Sequence, residues 1–397
     1  MIAMVINSTG MSFLWPLHTI YIHDQLERTL SEAGFVLMLH AGAEVFGSLI
    51  GGYVYDRAGG KKTLLVSVLS SAMCIFILSA NLSWPFYIIV MISLGFCIGM
   101  IFPAIYAMTG LAWREGGRKS FDLLYLAQNL GVSVGSALGG LVAQFSFTSV
   151  FLVNGLTYLL FISVIWKSFE DVQAEPSPEQ EQDFQKPIHT RLRDSKGFGA
   201  LLVMCSGFMF CWISYVQWQT SISTYMQQLG FPLTAYSSMW TINGLLIVAA
   251  QPVRHWIAET LVPSMRLQLL IGIVLMTACF AVLSQFQAYS GFLMAMAVMT
   301  LGEILIFPAV PSIADQLAPD GRRGIYQGIV NGAANVGRTI GPLIGGLLTD
   351  EYGTIVLFYV IILICGFAFL CFGSFQRFGY PKNLQKTSAG KALENNE

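Results

Sequence analysis

Twelve apolar runs, each about as long as a helix that crosses a bilayer, follow one another along the 397 residues and fix what this chain can fold into. The hydrocarbon core is about 30 Å thick and a helix rises about 1.5 Å per residue, so a crossing needs about 20 residues. The runs cover 1–22, 32–55, 63–80, 84–110, 120–145, 148–166, 199–228, 232–256, 267–286, 290–315, 323–349 and 353–375, each bounded by charge or turn residues. Composition points the same way, because 55% hydrophobic and 11% charged residues leave too little polar surface to cover a soluble fold. The expected fold is an all-α membrane protein with twelve transmembrane helices.

Other classes lose support on the same grounds. A formal net charge of −1 offers no positive excess to meet phosphates, so no nucleic-acid partner is expected. Cys74, Cys97, Cys205, Cys211, Cys279, Cys365 and Cys371 all lie in apolar runs and read as small packing residues, not as a disulfide framework or a metal site. The first run has neither the basic start nor the small-residue cleavage site of a signal peptide, so it is expected to stay as an anchor. No polar tail precedes it, as a shortened start would leave it.

Lys and Arg set the orientation. With the amino terminus in the cytoplasm, Arg57, Lys61 and Lys62 fall in the second loop, and Arg114, Arg118 and Lys119 in the fourth. The sixth holds Lys167, Lys186, Arg191, Arg193 and Lys196, the eighth Arg254 and Arg266, and the tenth Arg322 and Arg323. Arg377, Lys382, Lys386 and Lys391 occupy the tail, and Arg28 alone is left in an outer loop. The chain is thus expected in the cell membrane with both termini cytoplasmic. Residues 167–198 hold three prolines among charged residues and glutamines and read as a solvated linker between bundles at 1–166 and 199–376, with a cytoplasmic tail at 377–397.

The two halves repeat. Ile101-Phe102-Pro103-Ala104-Ile105 recurs as Ile306-Phe307-Pro308-Ala309-Val310, 205 residues on, and Arg118 recurs at the same offset as Arg323. Gly131, Gly135, Gly139 and Gly140 then recur as Gly337, Gly341, Gly345 and Gly346, one residue further out of step. Parallel six-span repeats with the substrate site between them build one large class of secondary transporters.

The loop after span 2, Gly52-Tyr-Val-Tyr-Asp56-Arg57-Ala-Gly59-Gly60-Lys61-Lys62, resembles the signature loop of the major facilitator superfamily. The glycine run of span 5 is similar to the motif of its drug/proton antiporters, although Ser136 stands where that motif has proline and Pro342 keeps it in span 11. Span 4 has no basic residue from Phe86 to Gly110, unlike many members of that branch, and the loop between spans 8 and 9 keeps only a degenerate copy of the signature (Glu259, Pro263, Arg266). The resemblance implies two pseudo-symmetric six-helix bundles, alternating access around a central cavity, and a monomer. It also implies that Gly52, Asp56, Arg57, Gly59 and Lys61 act as a cytoplasmic gate against span 11.

Ionisable groups at mid-membrane are costly and call for an account. Glu44, Glu303 and Arg338 share one depth, roughly 18–20 Å from the outer surface at 1.5 Å per residue. Desolvation favours the neutral form of a carboxylate and a neighbouring cation the charged form, so such a group can trade a proton for a cation. Glu303 is the expected proton or substrate-cation site, with Arg338 pairing Glu303 or Glu44 in part of the cycle. Structural pairs within one bundle would look the same in sequence.

Tyr125, Gln128 and Asn129 share one face of span 5, Tyr215, Gln217 and Trp218 cluster in span 7, and Asn243 lies in span 8. They are candidate cavity-lining residues for a bulky, cationic solute, or ordinary interhelical hydrogen-bonding groups. The glycines at 131, 135, 139 and 337, 341, 345, with Pro342, form helix-face stripes that serve close packing or a bend sealing proton leakage. His40, one turn from Glu44, is a packing histidine or a proton relay, and Asp122 is expected as a water-exposed cap.

No phosphate-cradling loop, metal-ligand cluster or nucleophile–base pair is apparent, so no enzyme activity, metal or cofactor is expected and an ion gradient is the energy source. The expected function is proton-coupled export of small hydrophobic or cationic compounds, with protons, the small-molecule substrate and membrane lipid as partners. The alternatives are an exporter or importer of a specific metabolite or sugar, and a membrane sensor or flippase partner that transports nothing.

Overall fold

The computed structural model describes residues 1–14, 18, 21–28, 30–80, 83–113, 116–143, 146–168, 197–256 and 264–380, and every regular element among them is helical. The order begins α1 (Ile2–Leu14), α2 (Leu30–Ala58), α3 (Gly60–Leu78), α4 (Trp84–Ala112), α5 (Arg118–Ala143) and α6 (Phe147–Ser168). It continues α7 (Phe198–Val216), α8 (Ser221–Gln228), α9 (Leu233–Trp256), α10 (Met265–Gln285), α11 (Tyr289–Ile306), α12 (Ala309–Leu317), α13 (Arg323–Tyr352) and α14 (Thr354–Ser374). α7 with α8, and α11 with α12, each form one interrupted crossing, so the fourteen helices make the twelve crossings read from the sequence.

Eight described segments are long and apolar enough to cross a membrane by composition alone. α5 and α13 fall outside that set because polar residues such as Gln128, Asn129, Gln327, Asn331 and Asn335 lower their mean hydropathy. Such residues are tolerated in a spanning helix when they face protein.

The described residues form two compact units, α1–α6 with Asp320–Asn335 at the start of α13, and α7–α12 with the chain from Val336 onward. Within the first unit α2 packs along α4, and α1 along α5. Glycine permits the first approach: a Cβ at Gly51 would stand 2.5 Å from Met100 Cα, and one at Gly99 would stand 2.9 Å from Glu44 Cα. Lipid offers no hydrophobic drive between helices, so such van der Waals contact holds them together. Within the second unit α10 packs against α11 and α14, and α9 against α11. A Cβ at Gly302 of α11 would stand 2.7 Å from the Gly272 carbonyl of α10.

The repeated pentapeptide behaves differently in its two copies. Pro103 lies inside the unbroken α4, whereas α11 stops at Ile306 and a new helix starts after Pro308. Span 10 carries a second proline three residues on, Pro311, so two N–H donors one turn apart are missing where the span 4 copy lacks one. The break lies one turn beyond Glu303.

Candidate functional site

Glu303 is 3% exposed in α11, and both of its carboxylate oxygens are held. Tyr215 Oη donates to Oε1 at 3.1 Å, and Asn243 Nδ2 donates to Oε2 at 2.9 Å and lies 2.9 Å from Thr300 Oγ1. The Thr300 hydroxyl in turn donates to the Met296 carbonyl, which leaves its oxygen to accept from Asn243. Two residues named separately in the sequence, on two other crossings, thus converge on the Glu303 carboxylate. Tyr215 and Asn243 are themselves neutral donors, and they orient the acid.

Aromatic rings cover the same end of the second unit. Trp212 meets Tyr215 edge-on with centroids 5.4 Å apart, Phe307 lies 4.8 Å from Trp212 and 5.3 Å from Tyr215, and Trp240 lies 6.2 Å from Tyr215. The Arg338 guanidinium lies over the Trp212 ring, 4.8 Å from its centroid. A cation on a ring face is attracted by the ring quadrupole, by about 0.5–2 kcal/mol depending on desolvation. Sequence reasoning missed Trp212, Trp240, Thr300 and Phe307. Helical spacing was the signal, since Trp212 and Tyr215, Trp240 and Asn243, and Thr300 and Glu303 are each three apart, and Phe307 follows Glu303 by four.

The other span 7 candidates are engaged in packing. Gln217 Nε2 donates to the carbonyls of Ile213, at 2.9 Å, and Gly341, at 2.8 Å, while its Oε1 accepts from Ser221 Oγ at 2.9 Å. Trp218 is fully buried, and its carbonyl accepts from Tyr236 Oη at 2.9 Å. These contacts tie the break between α7 and α8 to α13, where Pro342 removes one helical donor.

The glycine stripes are interhelical contacts in both halves. A Cβ at Gly131 would stand 2.5 Å from the Val5 carbonyl, and Gly135 faces Thr9 and Ser12, all on α1. Gly337, Gly341 and Gly345 face α7 and the start of α8 in the same manner, Gly345 against Gln217 and Ser221. Gly139 lies on α5, with its surroundings outside the described residues. A Cβ at Gly337 would stand 2.6 Å from the Met209 carbonyl and 2.7 Å from Trp212 Cβ, whereas one at Gly346 would meet nothing within 4 Å. Overpacking costs about 1–3 kcal/mol. Gly337→Val is therefore expected to lower the thermal unfolding midpoint of purified protein and to weaken transport by displacing Trp212, while Gly346→Ala leaves both near wild type.

The first unit holds the remaining candidates. Glu44 is paired with His40, Nε2 to Oε1 at 3.3 Å. Asp56 accepts from the backbone N–H of Gly324 at 2.7 Å and of Ile325 at 2.9 Å, at the amino-terminal turn of α13, where free N–H groups and the helix dipole favour negative charge. Gly52 of α2 lies against Gly324, and Gly328 against Ser48, so a side chain at any of these glycines would part α2 from α13. Arg57 lies over the Tyr53 ring at 4.7 Å, and Lys61 Nζ donates to the Trp166 carbonyl at 3.1 Å. Gly59 takes a φ of 87°, which lets α3 start one residue after α2 ends. Of the loop residues, Asp56 and Gly52 reach α13, Lys61 reaches the end of α6, and Arg57 lies over Tyr53 of its own helix.

On α5, Gln128 Oε1 accepts from Tyr106 Oη of α4 at 3.3 Å, Asn129 Nδ2 bonds the Tyr125 carbonyl at 3.0 Å, and Tyr125 is 6% exposed. Asp122 corrects the sequence expectation of a water-exposed cap. It is 6% exposed and paired with Arg118 at 3.4 Å, one turn back on the same helix.

Comparison with known proteins adds to the geometry. The family model of the Major Facilitator Superfamily matches residues 1–338 and 316–394. The chain is 43% identical over 369 residues to the uncharacterized MFS-type transporter YttB of Bacillus subtilis (strain 168), covering 92% of each chain. It is 24% identical over 330 residues to the multidrug resistance protein MdtH of Aeromonas hydrophila, covering 80% of this chain and 79% of that one. The crystal structure of the human organic anion transporter MFSD10 (TETRAN) matches with a TM-score of 0.76 at 14% identity, over 94% of this chain and 97% of that one, a likeness of fold.

Proposed function

Because the chain belongs to the major facilitator superfamily of membrane transporters, we propose that it exports small hydrophobic or cationic compounds in exchange for protons. The observation that carries this reading is the buried Glu303 carboxylate, held by the neutral donors Tyr215 and Asn243 beside the Trp212, Trp240 and Phe307 rings. A buried acid oriented by neutral groups can hold a proton or face a cation, and the rings suit the apolar body of such a cation. The name of the MdtH relative is in keeping with this reading.

In this reading Glu303 binds a proton from outside, the proton leaves to the cytoplasm, and the ionised acid then recruits the substrate cation. Access alternates between the two sides of the membrane. The positive charge of the even loops supports a multi-pass cell-membrane protein with both termini in the cytoplasm as part of this reading. The Asp56 bond to the start of α13, with Gly52 against Gly324, is the cytoplasmic gate contact.

A second reading is transport of a specific metabolite, favoured by Arg338 on the Trp212 face, which suits a carboxylate on an aromatic body. The test is proteoliposomes with an imposed pH gradient and a fluorescent cationic dye, wild type against Glu303→Gln. Gradient-driven dye movement that the variant loses supports proton-coupled export. A folded wild type that moves an aromatic carboxylate and no dye supports the second reading.

A further inference from the structure

A second acid lies in the first unit, outside the Glu303 cluster, and its partner tells how many protons it holds. His40, 9% exposed, uses both ring nitrogens: Nδ1 is 2.8 Å from the Met91 carbonyl oxygen of α4, and Nε2 is 3.3 Å from Glu44 Oε1. A carbonyl oxygen only accepts, so Nδ1 carries a hydrogen. A neutral ring in that tautomer turns the Nε2 lone pair toward Glu44. Were Glu44 ionised as well, two acceptors would face each other at hydrogen-bond distance, one on a buried ring and one on a half-buried carboxylate, an arrangement penalised by an unmade hydrogen bond at the His40 nitrogen.

One proton between Nε2 and Oε1 resolves the conflict. From this geometry we infer that His40 and Glu44 together bind a single exchangeable proton, making a second proton site in the unit that does not contain Glu303. The proton rests on Nε2, giving an imidazolium beside a carboxylate, or crosses to Oε1, giving a neutral ring beside a carboxylic acid. In both arrangements the pair carries the same net charge and forms the same hydrogen bond. When the proton leaves, the bond is lost and one acceptor must turn away. Binding and release at this pair therefore change how α2 is held at the helix it packs on, α4, where Gly95 and Gly99 admit His40 and Glu44 closely.

Among the described residues, several titratable groups lie near the pair. From the segment after α1, His18 brings its ring within 6.2 Å of His40, with its own Nδ1 buried and without a hydrogen-bond partner among the described residues. α6 contributes Tyr158, which lies within electrostatic reach of Glu44 and of Cys97 on α4. On α2 itself, Glu32 pairs with Arg28 at 3.8 Å, three turns away at the exposed end. Added to the transport reading above, and resting on it for this consequence alone, a proton here and one at Glu303 make two protons per cycle.

The test needs no transport. Full-length protein in lipid nanodiscs, labelled with 15N-histidine, is titrated while the imidazole nitrogens are followed by NMR and the carboxylic-acid stretch by infrared spectroscopy. His40 is assigned with His40→Gln and the acid band with Glu44→Gln. The expected result is an Nδ1-protonated His40 together with one further proton, seen on Nε2 or in the Glu44 band, lost in one step with a single shared midpoint. Glu44→Gln abolishes that shared step, and Glu303→Gln leaves it intact, so failure of the export reading and failure of this one are separable. A neutral His40 beside an ionised Glu44 at every pH of the titration, down to where exposed carboxylates protonate, overturns the inference. If neither variant folds, wild type alone decides, since the absence of any midpoint common to a histidine nitrogen and an acid band also overturns it.

Discussion

Glu303→Gln is expected to abolish uphill transport while leaving the protein folded and able to equilibrate substrate downhill. Glutamine is nearly isosteric with the acid. Its oxygen accepts from Asn243 Nδ2, and its NH2 group donates to Tyr215 Oη once that hydroxyl rotates to accept, so the hydrogen bonds seen at 2.9 and 3.1 Å are kept in number. What disappears is the capacity to bind and release a proton. A pH gradient of one unit supports about tenfold accumulation per coupled proton, ~1.4 kcal/mol. Wild-type vesicles should reach at least that ratio, and the variant should stop at equal concentrations on both sides. Glu303→Ala is a poorer probe, because it leaves Tyr215 and Asn243 with lost partners in a buried site and confounds coupling with stability.

Asp56→Asn should act at the opposite end of the cycle. The Asp56 carboxylate accepts two backbone N–H groups at the start of α13, at 2.7 and 2.9 Å. Asparagine offers one oxygen, so its NH2 group is turned against the second N–H and the charge at the helix dipole is lost. Hydrogen bonds to a charged group contribute about 1.5–3 kcal/mol, which corresponds to roughly a 10–100-fold weaker hold of α2 on α13. Amide hydrogen exchange over Gly324–Gly328 should rise by a factor of that order, with gradient-driven transport falling alongside it. Exchange unchanged from wild type would show that the helix start is held by other contacts.

The crossings were legible in the sequence because each is a continuous apolar run bounded by charge, and the lipid requirement for satisfied backbone leaves helix as the one available form for such a run. Glu303, Tyr215 and Asn243 stood out as polar residues inside those runs. Their convergence was not, because it depends on how α7, α9 and α11 pack, which no local spacing encodes. Trp212, Trp240, Thr300 and Phe307 lay within reach of a stricter use of helical spacing around the residues already chosen. Gln217 shows the converse: an amide in a spanning helix reads as cavity lining until its partners, the Ile213 and Gly341 carbonyls and Ser221, are known.

Asp122 was misread for a related reason. Its place near a helix start suggested solvent, but Arg118 one turn earlier provides a buried partner at 3.4 Å. The repeated Ile-Phe-Pro-Ala motif was a poor guide to local structure, since Pro311 follows one copy and nothing comparable follows Pro103. Gly131, Gly135, Gly337, Gly341 and Gly345 each lie against a neighbouring helix, as close backbone contact is what small residues at fourfold spacing provide.

The central claim is that one carboxylate, Glu303, holds either a proton or the substrate cation. Proton release on dye binding tests it most directly. Purified protein in a weakly buffered solution near neutral pH is mixed with a saturating fluorescent cationic dye, and a pH indicator reads the protons set free. The account predicts release on binding by wild type, and dye binding without the Glu303 share of that release in Glu303→Gln. Dye bound by wild type with no proton set free, or release of the same size from the variant, would contradict it.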